Sequence, residues 1–310
     1  MRKNKIISIV IPTYNRVDRL ERLLDSIAQS EREDYLFEVL VIDDASPDNT
    51  AAKIAGKYPH INIIRNGTER NLAGARNVGF RAAQGDYIFT VDDDNVLDKR
   101  CIVELAGFAA RAEKGKIGMI VPFMCYLHDK ERIWSAGARI SPRLFTPLIF
   151  GNTLLKDATD TCECQTAPNA FMLTREALGE VGLFDEKNFP IHHSEADYGI
   201  RLREAGFSCM AIKKAITYHD IGLELPFDLQ LRHIKRPYNI MVGEVTLRKK
   251  WERSLFWRIA IPLMILGGML WVVAKNTHLE RSQKMPYMWA SVRGYVAGQR
   301  QRLQKEEYLG

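Results

Sequence analysis

Apolar residues along the first hundred positions follow two alternating periods. Residues 6–11 form a short continuous apolar run rich in isoleucine and valine, the pattern of a strand buried on both faces. Residues 17–29 place Leu20, Leu23, Leu24 and Ile27 three or four apart, which predicts an amphipathic helix. The alternation continues with a strand at 37–42, a turn at Ser46-Pro47-Asp48 that opens a helix to about 57, and a strand at 61–64. A helix over about 73–83 and a strand at 87–91 complete it. Continuous apolar strands separated by helices predict an α/β fold, a mostly parallel sheet covered by helices on both faces. In such sheets ligands collect beyond the carboxyl ends of the strands. Those ends carry Pro12-Thr13-Tyr14-Asn15, Asp43-Asp44 and Asp92-Asp93-Asp94, so three polar clusters converge on one edge.

Further on, a helix over about 98–114 and a strand near 118–121 precede a stretch, 125–168, broken by Ser141-Pro142, Thr146-Pro147 and Gly151-Asn152. That stretch reads as loops and short strands around a substrate. Helical periodicity resumes at 174–181 and 195–205. The hydrophobic content of 46% and charged content of 26% exclude a disordered chain. The net charge of +6 is uneven: from Leu231 onward 15 Lys and Arg face 5 Glu, so the tail is strongly basic and the first 230 residues slightly acidic. This divides the chain into residues 1–230 and a basic, apolar helical tail, 231–310. The five cysteines are scattered, and Cys162 and Cys164 are too close for an ordinary bridge, which reads as reduced thiols and a cytoplasmic setting. The apolar run of the N-terminus ends in polar residues without a small-residue cleavage site, and reads as a first strand rather than a signal peptide.

Three adjacent carboxylates oppose each other; two held ~5 Å apart at an effective dielectric of 20 cost roughly 3 kcal/mol. A cation is therefore expected at Asp92, Asp93 and Asp94. In an extended stretch Asp92 and Asp94 point to one side and Asp93 to the other, so that one pair faces a divalent cation. The competing reading is a solvated acidic turn ahead of the next helix. Likewise Asp44, at a strand end, either accepts a hydrogen bond from a ligand N–H beside the Tyr14 ring, or caps a helix. Capping is expected of at least one of Asp43 and Asp44. Arg76, on the helix starting near Ala73, either bonds a nucleotide or is a solvated helix arginine.

The segments SIVIPTYNR (8–16), VIDDASPDNT (41–50), NLAGARNVGFRAAQGDYIFTVDDDN (71–95), TREALGEVGLFDE (174–186), SEADYGIRLREAGF (194–207) and the histidine of AITYHD (215–220) occur in one order. This order resembles the inverting glycosyltransferases of family 2, whose fold is called GT-A, and the resemblance covers roughly residues 6–220. It implies a metal-dependent transfer of a sugar from a nucleoside diphosphate sugar to a hydroxyl of a glycan or glycolipid acceptor in polysaccharide biosynthesis. A UDP-sugar is preferred, with a dTDP-sugar as the near alternative, since thymine offers the same N3–H as uracil. The resemblance implies that Asp44 reads the base, and it puts Pro12, Thr13, Tyr14, Asn71, Arg76, Asp92 and Asp93 along the nucleotide sugar. Asp94 and His219 are implied as ligands of Mn²⁺ or Mg²⁺, which would bridge the two phosphates.

Where the family places a Glu-Asp pair before a helix reading D-x-x-x-R-L, this chain has Ser194-Glu195, then Asp197 and Arg201-Leu202. Glu195 is thus the aligned catalytic base, with Asp197 either sharing that role or pairing with Arg201 at i, i+4. A base implies a hydroxyl acceptor, because a lipid phosphate is already anionic. Trp134, Ala167-Pro168-Asn169 and His192-His193 are candidates for the acceptor pocket. A nucleotidyltransferase would open with a Gly-rich loop, which PTYNR lacks. A non-catalytic sugar-nucleotide-binding protein remains the other alternative.

In the tail, residues 255–274 are apolar for about the length of a membrane-spanning helix, but contain Arg258, Pro262 and Gly267-Gly268. Basic residues flank the stretch on both sides, so both flanks read as cytoplasmic. In-plane or re-entrant helices on an anionic membrane surface follow, with Trp251, Trp257, Trp271 and Trp289 near the interface. The alternative is a helical cap packed on the catalytic domain or on a second copy of the chain. Nucleic acid is not an expected partner, because the basic residues flank an apolar segment.

Overall fold

The computed structural model describes residues 5–112, 116–140, 147–149, 151–221, 235–275 and 281–304. Strands β1 (Lys5–Thr13), β2 (Tyr35–Asp43), β3 (Asn62–Arg65) and β4 (Tyr87–Val91) alternate with helices α1 (Val17–Ala28), α2 (Thr50–Lys57) and α3 (Asn71–Ala82). After β5 (Asn95–Leu97) and α4 (Cys101–Arg111) come β6 (Ile117–Tyr126), β7 (Ile133–Ser135), β8 (Ala138–Ile140), β9 (Pro147–Ile149), β10 (Thr161–Cys164) and β11 (Ala170–Thr174). Then follow α5 (Arg175–Val181), α6 (Ser194–Glu204), β12 (Ser208–His219), α7 (Lys235–Trp251), α8 (Leu255–Lys275) and α9 (Arg281–Arg300). The central sheet runs β10-β12-β6-β11-β4-β1-β2-β3. Its β3-β2-β1-β4 half is parallel, as the apolar runs predict. β11 enters antiparallel between β4 and β6, and the latter pairs parallel with β12.

The core follows from the two periods. Ile7, Ile9, Val10 and Ile11 of β1 are fully buried, and Leu20, Leu23, Leu24 and Ile27 form the covered face of α1. Each such side chain contributes roughly 1.5–3 kcal/mol on leaving water. Helix α3 lies very close to the sheet at Gly79, where an added Cβ would sit 2.2 Å from Cγ1 of Val10. The register pairs Thr13 with Asp43 and Ala170 with Val91, so the carboxyl ends of β1, β2 and β4 meet the start of β11. His219, at the end of β12, pairs with Asn95, which brings it beside Asp94.

Several expectations need correction. Asp92, Asp93 and Asp94 do not lie in an extended stretch: the chain turns at 93–94, with the Asn95 N–H donating to the Asp92 carbonyl at 3.2 Å. Neither Asp43 nor Asp44 caps a helix. Asp43 accepts from the Ser46 N–H at 2.9 Å and pairs with Arg65, while Asp48 accepts the Thr50 N–H that begins α2. The cysteines are all free thiols, yet two of them are not scattered: Cys164 and Cys209 pair across β10 and β12 with their sulfurs 3.1 Å apart. The turns expected at Ser141-Pro142 and Thr146, and the boundary at 230, lie outside the described residues.

The tail is helical and divides into two environments. α7 and α9 pack on each other and on the body of the molecule; Leu247 joins Phe189, Ala196 and Ile200 in a small apolar cluster. Trp251 is not at an interface, since it packs on that cluster and its Nε1 donates to Asp197 at 2.8 Å. α8 lies against α7 and α9 with Ile261, Leu266 and Val273 buried, while Phe256, Met264 and Trp271 on its other face are exposed. With 21 residues and a mean hydropathy of 1.8, it is long and apolar enough to cross a membrane by length and composition.

Candidate functional site

A cleft of about 950 Å³ opens over the carboxyl ends of the strands. Its walls hold Pro12, Thr13, Tyr14, Asp44 and Asn71 at one end, the Asp92–Asp94 turn and His219 in the middle, and Glu195 with His192 and His193 at the other. The fold thus brings most of the residues singled out in the sequence to one cleft, while Arg76, Asp197 and Asp43 lie outside its lining. Trp134, Ala167, Pro168 and Asn169 also line the cleft.

Asp44 is 4% exposed, and its Oδ1 accepts from Asn66 Nδ2 at 2.7 Å and from the Arg70 N–H at 2.9 Å. Both bonds fall on one oxygen. Tyr14 lines the cleft with its ring exposed. Asn71 opens α3 with φ +62°, a left-handed conformation that asparagine tolerates better than most residues.

The turn sends the three acids in different directions. Asp92 Oδ1 pairs with Arg76 Nη2 at 2.7 Å. Asp93 accepts from Thr13 Oγ1 at 2.8 Å and pairs with Arg16 at 3.2 Å. Asp94 faces His219 Nε2 at 3.4 Å, Arg16 at 3.4 Å and Arg19 at 3.7 Å. Burial, reinforced by the neighbouring acids and only partly offset by Arg76, pushes the Asp92 carboxyl up to about 6. Burial and Asp94 likewise push Asp93 up to about 7 against the pull of Arg16. Burial also acts on Asp94, but the His219 contact and the Arg16 and Arg19 charges outweigh it and hold that carboxyl below its usual range. Asp94 is therefore the most readily ionised member of the triplet.

A carboxylate facing an imidazole is a donor set suited to Mn²⁺, and a hard cation with few protein ligands takes substrate phosphates for the rest. Among the described residues no group of three or more His, Cys, Asp or Glu is arranged to hold a metal alone. Asp94 and His219 thus fit a cation that arrives with a diphosphate. His219 is held in place by Asn169 Nδ2, 2.7 Å from Nε2, and by the edge of the Trp134 ring at 4.4 Å.

Arg76 is neither solvated nor part of the cleft lining. It is fully buried within 6 Å of the Phe171 and Phe184 rings, and spans Asp92 on one side and Glu195 Oε1 on the other. Glu195 Oε2 accepts from Ser194 Oγ at 2.9 Å. Burial would raise the Glu195 carboxyl, but the Arg76 charge and the hydrogen bonds override it and hold it below the usual range. Asp197 takes no part in the cleft. It is fully buried and bonds Arg201 at 2.9 Å, Trp251 at 2.8 Å and Lys250 at 2.8 Å. The i, i+4 pairing is the reading that holds.

Some cleft residues were missed in the sequence. Arg16, just ahead of α1, and Arg19 in its first turn line it, and Arg22, one turn on at i+3 from Arg19, pairs with Asp220. That spacing was legible. Arg236, Asn239 and Ile240 line the cleft from α7, beyond the expected boundary, and no local pattern signals it. His192 is half-buried beside His193 and Arg236, and loss of solvent with those neighbouring charges pushes it down to about 3, so the ring is neutral.

Comparison with known proteins matches residues 8–181 to the family described as Glycosyl transferase family 2. The poly(ribitol-phosphate) beta-N-acetylglucosaminyltransferase TarS of Staphylococcus aureus is 31% identical over 162 residues, 48% of this chain and 28% of that protein. The chain thus spans under a third of this relative's length. The amylovoran biosynthesis glycosyltransferase AmsB of Erwinia amylovora is 26% identical over 219 residues, 68% of this chain and 69% of that protein. Among solved structures, S. aureus TarS 1–349 in complex with UDP-GlcNAc superposes with a TM-score of 0.54 at 17% identity, covering 94% of this chain and 81% of that one. GalNAc-T7 with UDP, GalNAc and Mn²⁺ gives a TM-score of 0.62 at 16% identity, covering 96% of this chain and 56% of that one. At these identities the superpositions establish the GT-A fold alone.

Proposed function

This chain belongs to glycosyltransferase family 2, and from that premise we propose that it moves a sugar, with inversion, from a UDP-sugar to a hydroxyl of a glycan or glycolipid. One observation carries the reading: a single cleft holds the buried carboxylate Asp44, Asp94 facing His219, and Glu195 at a helix start, linked to the buried Arg76. The UDP preference is supported by a relative whose structure holds UDP-GlcNAc.

In this reading Asp44 accepts the base N3–H with its second oxygen, and Tyr14 covers the ring. Asp94 and His219 would hold Mn²⁺ or Mg²⁺ against the diphosphate, and the cation would supply neutralisation of the charge on the departing nucleotide. Arg16 and Arg19 already present positive charge to that place. Glu195, kept ionised by Arg76, takes the proton of the attacking acceptor hydroxyl. Arg76 holds Asp92 and Glu195 in fixed relation, so the donor turn and the base are set by one guanidinium. Trp134 and the neutral His192 ring furnish a wall for the acceptor.

The exposed face of α8 supports a seat on an anionic membrane at its cytoplasmic side. Phe256, Met264 and Trp271 line that face, Trp289 is exposed on α9, and Lys275 and Lys284 stand near its end. A helix already packed along one side on α7 and α9 suits lying in the interface.

The test is a panel of UDP-, dTDP-, GDP- and CMP-sugars scored for thermal stabilisation with and without Mn²⁺, since a ligand of the folded state raises its apparent stability. Stabilisation by UDP-sugars that requires Mn²⁺ supports the reading. Stabilisation by none of the panel overturns it.

A further inference from the structure

Glu195 stands in the first turn of α6, and the residue before that helix, His193, has φ +69°, a left-handed backbone that histidine adopts at a cost. What holds His193 there comes from α7, beyond the matched family region. The His193 Nε2–H donates to Glu244 Oε2 at 3.1 Å, and Glu244 is buried and fixed by Arg248 Nε at 2.8 Å. The imidazole also lies against the α7 backbone at Gly243, where an added Cβ would stand 2.8 Å from His193 Nδ1 and 3.1 Å from the His192 carbonyl. α7 therefore offers the ring both a clearance and an acceptor. The His193 carbonyl in turn accepts the Asp197 N–H at 2.9 Å, closing the first turn of α6 around Glu195. On the opposite side Arg76 fixes the Glu195 carboxylate itself.

We infer that α7, through the Glu244–His193 bond, positions Glu195 for proton transfer, so that the C-terminal helices are part of the catalytic apparatus. His193 and Glu244 are positioning residues. The inference rests on the assignment of Glu195 as the base. If His193 is released, its backbone is free to leave the left-handed region and the start of α6 turns with it. A misplacement of about 1 Å at a reacting group costs up to about 10²-fold in rate.

The experiment compares Glu244→Ala, Glu244→Gln and His193→Gly in the full chain, alone and combined with Glu195→Gln. Activity is UDP release with Mn²⁺ from whichever of UDP-glucose, UDP-galactose and their N-acetyl forms is turned over fastest; UDP binding with Mn²⁺ is the second readout. Glycine adopts φ +69° freely, so a loss in His193→Gly reports the missing bond rather than strain. Glu244→Ala and His193→Gly are expected to lower kcat about 10- to 100-fold, with donor KM and UDP affinity within about 2-fold. Glu244→Gln, whose amide oxygen still accepts the Nε2–H while its NH2 replaces the acceptor of Arg248, is expected to restore part of the rate. In the Glu195→Gln background the further loss is expected to vanish. Unchanged kcat in both variants overturns the inference, and so does a parallel fall in UDP affinity or a loss that persists without Glu195. If Glu244→Ala does not fold, His193→Gly, which leaves the Glu244–Arg248 pair in place, decides the question. A Glu195→Gln protein that releases UDP at the unaltered rate removes the base assignment itself. An inactive Glu195→Gln beside fully active Glu244→Ala and His193→Gly removes only the inference.

Discussion

Arg76, without solvent exposure, bonds Oε1 of Glu195 across 119 positions of sequence. The same guanidinium holds Asp92, so the buried charge is balanced on both sides. Replacing Arg76 with Met leaves two carboxylates facing an apolar wall. Breaking a buried pair by removing one partner costs about 3–5 kcal/mol. Urea unfolding is expected to show a loss of that size. Arg76→Met should also raise the Glu195 carboxyl and move the acid limb of the pH–rate profile upward. A stability within about 0.5 kcal/mol of the unaltered protein would contradict the structural role.

The Asp92 and Asp93 carboxyls, raised to about 6 and about 7, give the cation-free protein a defined pH dependence. Between their unfolded values near 4 and these raised values, the folded state binds more protons than the unfolded state. Stability in EDTA is therefore expected to fall as pH rises from about 4 through about 7. A cation with a nucleotide neutralises the same charge, so stabilisation by Mn²⁺ and UDP should grow over that interval. Thermal melts at several pH values, with EDTA or with Mn²⁺ and UDP, measure both slopes. Equal stabilisation by Mn²⁺ and UDP at pH 5 and pH 8 would sink the prediction.

Trp251→Phe removes one donor from the buried Asp197 carboxylate while leaving Arg201 and Lys250. The expected destabilisation is about 1.5–3 kcal/mol, the range for one hydrogen bond to a charged group. Chemical denaturation reads it directly. No change would mean that the Trp251 hydrogen bond adds nothing to the docking of α7.

Met264→Glu with Trp271→Glu places two charges on the exposed face of α8. Co-sedimentation with vesicles of 30% phosphatidylserine is expected for the unaltered chain and is expected to be lost in the double variant, with UDP release from a soluble donor retained. Binding that survives would contradict a membrane seat on that face. A concentration-dependent dimer abolished by the same changes would show that a second copy covers it instead.

The sequence exposed the parallel half of the sheet because its strands are buried on both faces and its helices are amphipathic, so each period appears undiluted. The strand-end clusters at 12–15, 43–44 and 92–94 therefore located the cleft. Local pattern failed where a long-range contact decides. The turn at Asp93-Asp94 follows from Asn95 pairing with His219, 124 positions away, and splits the triplet that an extended chain would have kept in register. Arg76 looks like any helix arginine until Asp92 and Glu195 are brought to it. Asp197 loses its claim to catalysis only when Trp251 and Lys250 arrive from α7. The sequence leaves the tail open between in-plane helices and a packed cap, because its composition does not say which face meets the body; packing assigns α7 to the cleft and leaves one face of α8 uncovered.

The central claim is that Glu195 is the base of a sugar transfer, and Glu195→Gln tests it most directly. The amide keeps the shape and a hydrogen-bond acceptor for Arg76 while removing the group that takes the proton. With Mn²⁺ and the preferred UDP-sugar, UDP binding is expected to stay within about 3-fold while turnover falls about 10²- to 10⁴-fold. An unchanged rate of UDP release would contradict the account.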